Sequence, residues 1–152
     1  MNIYQNEHLT ISLESHIHVI QQKWEGVPSS ENFYKGCLIS MNLAIKHQIR
    51  KWLLDQRELM MFNPKDLQWC TQKWLPELIR QLGANMKIAV VLQDMNQFGK
   101  LGSDILLRAG FAMNPYLESR YFLDNEEAKE WLITKRKNTL LQFKALRQTG
   151  FH

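Results

Sequence analysis

Residues 88–92 (Ile-Ala-Val-Val-Leu) are all apolar, and this run constrains the fold more than any other feature of the sequence. A strand that is apolar on both faces is typical of a parallel strand covered by helices. The run is far shorter than the ~20 residues that a membrane-spanning helix needs. It therefore predicts an α/β domain with a parallel strand in its sheet, and no stable membrane insertion.

The amino-terminal part of the chain predicts a β-hairpin. Residues 8–14 alternate between apolar and polar side chains, which is the period of a strand with one buried face. A tight turn at Ser15 and His16 leads into a partner strand over residues 17–24. Ile3 and Tyr4 are predicted to form a short first strand before this hairpin.

The rest of the chain predicts alternating helices and strands. Asn63 and Pro64 give one strong helix start, with Asn63 as the cap and Pro64 in the first turn, and Pro76 is expected to kink this helix. The predicted helices cover residues 30–48, 64–82, 98–108 and 124–132, and the predicted strands cover residues 52–54, 88–92 and 120–123. This order predicts a hairpin followed by βαβ units in one mixed, mainly parallel sheet with packing helices.

The net charge of +4 belongs to the carboxyl-terminal end of the chain. From Trp131 onward there is no Asp or Glu, and removing the five basic residues there from the 19 in the chain leaves 14 against 15 acidic ones. A basic patch on a folded face is the usual mark of a nucleic-acid-binding domain. The sequence therefore predicts no nucleic-acid partner.

Residues 1–134 are predicted to form one domain, and residues 135–152 a basic amphipathic helix. Three positions are open to such a helix: an anionic membrane, the surface of its own domain, or a second subunit. Five charges and one short apolar stripe give only marginal attachment to a membrane. We therefore expect the stripe to pack on the domain or on a homodimer partner. Its apolar residues are Leu140, Leu141, Phe143 and Leu146.

No complete catalytic, metal-binding or cofactor-binding pattern is present. Cys37 and Cys70 are well separated in sequence and are expected to be small buried core residues. His16 and His18 fall on one face of a predicted strand, but two ligands do not make a metal site. Residues 99–103 lack the spacing of a phosphate-binding loop. The sequence predicts no cofactor and favours a non-catalytic role. It lacks a secretory signal, which favours a cytoplasmic location.

Several segments resemble the STAS domain class, named for sulphate transporters and anti-sigma factor antagonists. They are similar to a bacterial branch of sporulation anti-anti-sigma-like proteins that is related to the CRAL-TRIO lipid-transfer fold. The similarity extends over nearly the whole chain up to Thr134. The segments that carry it are Trp24, Glu25 and Gly26 with residues 29–33; residues 51–57; residues 63–66 with Trp74, Leu75 and Pro76; and residues 120–124 with Glu127, Ala128, Trp131 and Leu132.

The resemblance implies a STAS-like fold and a regulatory module that recognises another protein. The alternative, from the CRAL-TRIO side, is a binder of a lipid or another apolar small molecule. In phosphorylatable STAS domains a Ser or Thr before the helix that starts here at Pro64 accepts phosphate. No hydroxyl is present between Asp55 and Asp66, so this switch cannot be transferred to this chain.

A ligand site, if present, is expected at the carboxyl ends of the parallel strands, where open α/β sheets usually bind ligands. Two alternatives are open for individual residues. Asp55 and Arg57 either face a ligand or pair with each other or cap the following loop, and Trp69 either lines a crevice or shields the sheet edge. The predicted site residues are Asp55, Arg57, Trp69, Asp94, Phe98 and Asp124.

Overall fold

Six strands form one mixed sheet in the computed structural model, which describes residues 1–83 and 85–134. The strands are β1 Asn2–Gln5, β2 Leu9–Glu14, β3 Val19–Gly26, β4 Lys51–Leu59, β5 Lys87–Val91 and β6 Glu118–Phe122. The helices are α1 Ser30–His47, α2 Pro64–Trp69, α3 Leu75–Leu82, α4 Lys100–Met113 and α5 Asn125–Ile133, and a π-helical turn, Cys70–Trp74, joins α2 to α3.

The spatial order of the strands is the same as their order in the chain. β1, β2 and β3 pair antiparallel, whereas β3, β4, β5 and β6 pair parallel. The predicted hairpin, the βαβ units and the mixed, mainly parallel sheet are thereby confirmed.

Helices cover the two faces of the sheet unequally. The larger core lies between one face and α1, α2, α3 and α4, and it contains Trp24, Trp52 and Val90. The smaller core lies on the opposite face, where α5 packs Ala128 and Leu132 against β4, β5 and β6. All five residues of β5 are buried, which explains why the sequence there is apolar at successive positions.

An aromatic cluster ties the sheet to α1 and to the segment before α2. The ring of Trp24 lies 5.4 Å from that of Phe33 and 5.2 Å from that of Phe62, measured between centroids. Gly36 lets α1 approach the sheet closely, because a Cβ there would lie 2.1 Å from Cδ2 of Leu9. The position of Phe62 therefore depends on the packing of Trp24.

The hairpin turn is longer than the sequence predicted. β3 begins only at Val19, and residues 15–18 form the turn. His18 has a φ of 59°, in the left-handed region that turns use. His16 and His18 therefore do not share a strand face. Among the described residues, no group of three His, Cys, Asp or Glu side chains is arranged to hold a metal ion.

Pro76, where the sequence predicted a kink, lies in the first turn of α3, directly after the π-helical turn Cys70–Trp74. The backbone N–H of Leu75 donates to the carbonyl of Cys70, one residue further back than in an α-helix. Proline has no backbone N–H to donate, and the wider π-helical turn before Pro76 accommodates the missing hydrogen bond. The predicted helix within residues 135–152 lies outside the described residues. Within the described part of the chain, no helix has both the length and the apolar character that crossing a membrane requires.

Candidate functional site

Asp55 and Arg57 form a bidentate ion pair near the carboxyl end of β4. Nε of Arg57 donates to Oδ1 of Asp55 at 3.0 Å, and a terminal nitrogen donates to Oδ2 at 2.8 Å. The Asp55 side chain is 3% exposed and that of Arg57 is 38% exposed. These hydrogen bonds raise the pKa of the guanidinium. Of the two alternatives for this pair, the structure shows mutual pairing.

A polar hollow of about 260 Å³ surrounds this pair. Nζ of Lys23 lies 3.4 Å from a carboxylate oxygen of Glu58 and 3.7 Å from one of Glu25. Each basic side chain at the hollow therefore lies beside an acidic one, so the positive and negative charges are paired. The residues that line it are Lys23, Asp55, Arg57, Glu58 and Gln93.

The other predicted site residues lie in different surroundings. Asp124 caps α5 by accepting from the N–H of Glu127 at 3.0 Å, and its charge also acts on Arg57. Asp94 accepts from the N–H of Asn96 at 2.8 Å within its own loop.

The two aromatic members of the predicted site are also separated. Trp69 packs on α1, with its ring centroid 4.6 Å from that of Tyr34, while Phe98 is 65% exposed beside α4. The structure thus brings together Asp55, Arg57 and Asp124, but not Trp69, Asp94 or Phe98.

An open apolar groove of about 380 Å³ runs between α2 and α4. Its α4 side exposes Leu101 and Ile105, which are 58% and 55% exposed. Phe98 extends the groove, and Phe62 connects it to the aromatic cluster. Among these residues, the sequence predicted only Phe98 as part of a site. The residues that line the groove are Met61, Phe62, Pro64, Leu67, Gln68, Thr71, Phe98, Gly99, Leu101, Gly102 and Ile105.

Polar contacts fix α4 in place on the sheet. Gly102 allows close approach to α2, because a Cβ there would lie 2.9 Å from Cδ1 of Leu67. On the side of β6, the Tyr121 hydroxyl donates to Asp104, and Nζ of Lys100 lies 3.2 Å from the same carboxylate. The outward side of α4 is thereby held in one orientation.

These contacts control the ionisation of Asp104. Burial alone raises the pKa of its carboxyl, but the hydrogen bonds from Tyr121 and Lys100 outweigh burial and lower the pKa below its usual value. Burial and the bond to Asp104 raise the pKa of the Tyr121 hydroxyl. Because the folded-state pKa of Asp104 is lowered, its contribution to stability is present above the ordinary aspartate pKa and is lost as the pH falls through the lowered value.

We expect Tyr121→Phe to raise the pKa of Asp104 toward its ordinary value, because one of the two hydrogen bonds to the ionised form is lost. Carboxyl-carbon NMR titration of both proteins measures this. Tyr4→Phe is the control, since the Tyr4 hydroxyl lies on β1 and accepts from Asn6. An unchanged Asp104 pKa in Tyr121→Phe would contradict the assignment.

The start of α2 is surrounded by polar groups that already have partners. Asn63 caps α2 by accepting from the N–H of Lys65 at 3.0 Å. Asp66, which is 1% exposed, accepts from the hydroxyl of Ser30 at 3.0 Å. The nearest hydroxyl at this junction therefore comes from α1 and is already engaged with a carboxylate.

A small cavity of about 40 Å³ lies in the larger core, between the sheet and the helices. Cys37 and Cys70 both line it and are buried. Although Cys37 and Cys70 are far apart in sequence, their thiols interact in the folded domain. Burial and this contact together raise the pKa of Cys37. A cavity of this size is comparable to the volume of one water molecule.

Two solved structures are similar to the whole domain. One is an uncharacterised DUF3478-family protein with a SpoIIAA-like fold from Shewanella loihica, with a TM-score of 0.56, 18% identity, and coverage of 86% of this chain and 98% of that chain. The other is an anti-sigma factor antagonist from Mycobacterium paratuberculosis, with a TM-score of 0.52, 13% identity, and coverage of 87% and 100%. No protein-family model and no curated protein matches the sequence. The chain has the SpoIIAA-like fold, and the STAS-like fold implied by the sequence resemblance is confirmed.

Proposed function

We propose that this chain is a non-catalytic regulatory module that binds a protein partner through the apolar groove between α2 and α4. The observation that carries this proposal is the exposure of Phe98, Leu101 and Ile105 around the groove. Contiguous apolar surface of this kind on a folded domain is typical of a protein-binding site. The fold likeness to an anti-sigma factor antagonist supports a regulatory role.

Binding of a lipid, the alternative function, requires a cavity that surrounds the ligand. A site for a small apolar molecule encloses most of the ligand surface and usually has a volume of about 300–1,000 Å³. The cavity in the larger core has only about 40 Å³ of free space, and the groove of sufficient volume is open along α4. An open groove with a rim of large side chains favours a protein surface over a lipid chain.

The proposed regulation does not use phosphate on the segment before α2. Residues 56–65 contain no hydroxyl side chain. In addition, the carboxylate of Asp66 is already hydrogen-bonded at the beginning of the helix. Binding at the groove is therefore expected to depend on shape and apolar contact, and not on a phosphate group at this position.

We expect Leu101→Asp to abolish capture of the partner, because it places a charge in the centre of the apolar surface. In vivo cross-linking with an affinity-tagged full-length chain, followed by mass spectrometry, measures which proteins are retained. Leu123→Asp is the matched control: Leu123 is 55% exposed but follows β6, outside the groove. A partner retained equally by Leu101→Asp and by the wild type contradicts the proposal, as does a partner lost equally in both variants.

A further inference from the structure

The outward side of α4 carries a continuous stripe that the core does not use. Leu101, Ile105, Arg108 and Ala112 follow one another at intervals of four, three and four residues, which places them on one face of an α-helix. All four are exposed. The opposite side of α4 packs into the core through Leu107. The helix therefore has two apolar sides, and one of them lacks a covering element within the described residues.

Arg108 lies in the middle of this stripe, and its charge acts on Asp104 and Tyr121 of its own chain. Within the part of the chain that the structure describes, it makes no hydrogen bond and no ion pair within 4.0 Å. The carboxylate of Asp104 lies one turn earlier on the same side of the helix, and its hydrogen bonds go to Tyr121 and Lys100. A positive group within the stripe and a negative group beside it thus lie one turn apart.

We propose that α4 pairs antiparallel with α4 of a second copy of this chain. The inference rests on the proposed function, because Leu101 and Ile105 line the groove to which that function is assigned. Arg108 and Ala112 continue the stripe beyond the groove, beside β6. In an antiparallel pair centred between Leu106 and Leu107, Leu101 lies opposite Ala112 of the second copy, and by symmetry the reverse contact also forms. A large side chain thus meets a small one at both ends, as close packing of two helices requires.

The same register brings the charges together. Arg108 lies opposite Ile105 of the second copy, so its aliphatic stem packs on an apolar side chain. Its guanidinium then reaches Asp104 of the second copy, which lies beside Ile105 on the helix. Twofold symmetry forms this pair twice. A parallel arrangement of two α4 helices instead places Arg108 beside Arg108, which is repulsive.

The basic segment beyond Thr134 is a less suitable occupant of this surface. Nζ of Lys87 donates to the carbonyl oxygens of Trp131 and Thr134, so α5 ends at the amino end of β5, on the sheet face opposite α4. Lys100, Asp104 and Arg108 sum to a positive charge beside the stripe. A basic segment brings no acidic group to Arg108, whereas an antiparallel second copy places its own Asp104 beside Arg108.

The contact is small, so the dimer is expected to be weak. α4 has 14 residues, which corresponds to a helix of about 21 Å. One helix pair with its flanking side chains lies near the lower end of specific interfaces, below about 1,200 Å² of total buried area. Light scattering of the full-length chain from about 1 μM to about 1 mM should show a mass that rises with concentration. A monomeric mass over this whole range overturns the proposal.

Cysteine cross-linking tests the register. We expect the double variant Leu101→Cys with Ala112→Cys to form a covalent dimer at least about tenfold faster than either single variant under oxidised glutathione, because only the double variant has opposing thiols. In one chain, and between two copies of a single variant, the thiols are 11 residues or ~16 Å apart along the helix, too far for a disulfide. Equal cross-linking in the single variants overturns the antiparallel register.

Arg108→Glu gives a second, independent measurement. We expect it to weaken dimerisation about tenfold or more, since each Asp104 of the dimer then faces a like charge. An unchanged mass profile overturns the charge pairing. If the wild-type chain is monomeric but Leu101→Asp still loses a different protein in the capture experiment, the dimer is wrong and the proposed function stands. If Leu101→Asp changes neither capture nor mass, both fail.

Discussion

We expect Trp24→Ala to lower the free energy of unfolding by about 3–5 kcal/mol, the range for removing a large buried aromatic side chain. Trp24 is 2% exposed and contacts Phe33 and Phe62. Its indole N–H donates to Oε1 of Gln22 at 3.1 Å, so the variant also removes a hydrogen-bond donor from the core. Gly36 of α1, which also faces Trp24, has no side chain that could fill part of the remaining cavity.

Equilibrium denaturation in urea measures the Trp24→Ala effect. Phe98→Ala is the control: it also removes an aromatic ring, but one that is 65% exposed, and the expected change is below about 0.5 kcal/mol. Similar losses in the two variants would mean that the cluster of Trp24, Phe33 and Phe62 does not hold the domain together.

Arg57→Ala is expected to destabilise the domain by about 2 kcal/mol, because it leaves the buried Asp55 carboxylate without its cation. The figure is at the low end for a broken buried pair, since the Arg57 side chain is 38% exposed and solvent screens part of the interaction. Asp55→Asn in the same background should recover part of the loss, because the unpaired buried charge is then removed.

The chain provides a matched control for this pair. Arg80 makes the same bidentate contact with Glu77, at 2.6 and 3.0 Å, but both side chains are at least 40% exposed. Surface pairs of this kind contribute little, so Arg80→Ala should leave the urea midpoint nearly unchanged. A loss in Arg80→Ala as large as that in Arg57→Ala would show that burial of Asp55 is not the cause.

Local sequence patterns correctly predicted those helices and strands whose burial or capping is visible in a short run of residues. Residues 88–92 predicted a strand covered on both faces, and β5 is buried throughout. Asn63 and Pro64 predicted the start of α2, where the side chain of Asn63 caps the helix. Such signals depend on the backbone and on the nearest side chains, so they can be recognised without knowledge of the fold.

The errors occur where distant residues satisfy polar groups. β4 extends to Leu59, past the segment from Asp55 to Arg57 in which the sequence predicted its end. Asp55, Gln56 and Arg57 suggested the end of the strand, but Gln56 is buried, and its side chain accepts from Ser103 at 2.5 Å. Ser103 is 47 residues away in the chain. A pattern of neighbouring residues contains no signal for this partner.

The groove was missed for a related reason. The apolar residues of α4 lie on two sides of the helix, and periodicity does not distinguish the side that faces the sheet from the side that faces outward. Gly102 and Leu107 are buried, whereas Leu101 and Ile105 are exposed. The contact between Cys37 and Cys70 was missed because it depends on how α1 packs against the π-helical turn.

The sequential strand order also has a consequence for how the domain is assembled during synthesis. Each strand pairs with the strand translated immediately before it, so no strand has to be inserted between two that are already paired. The sheet can therefore grow at one edge, each new strand pairing with the strand that was added before it. β6 is the last strand to be added, and it carries Tyr121, the donor that holds Asp104 on α4. The orientation of α4 is thus fixed from the side of β6 only after the last strand has joined the sheet.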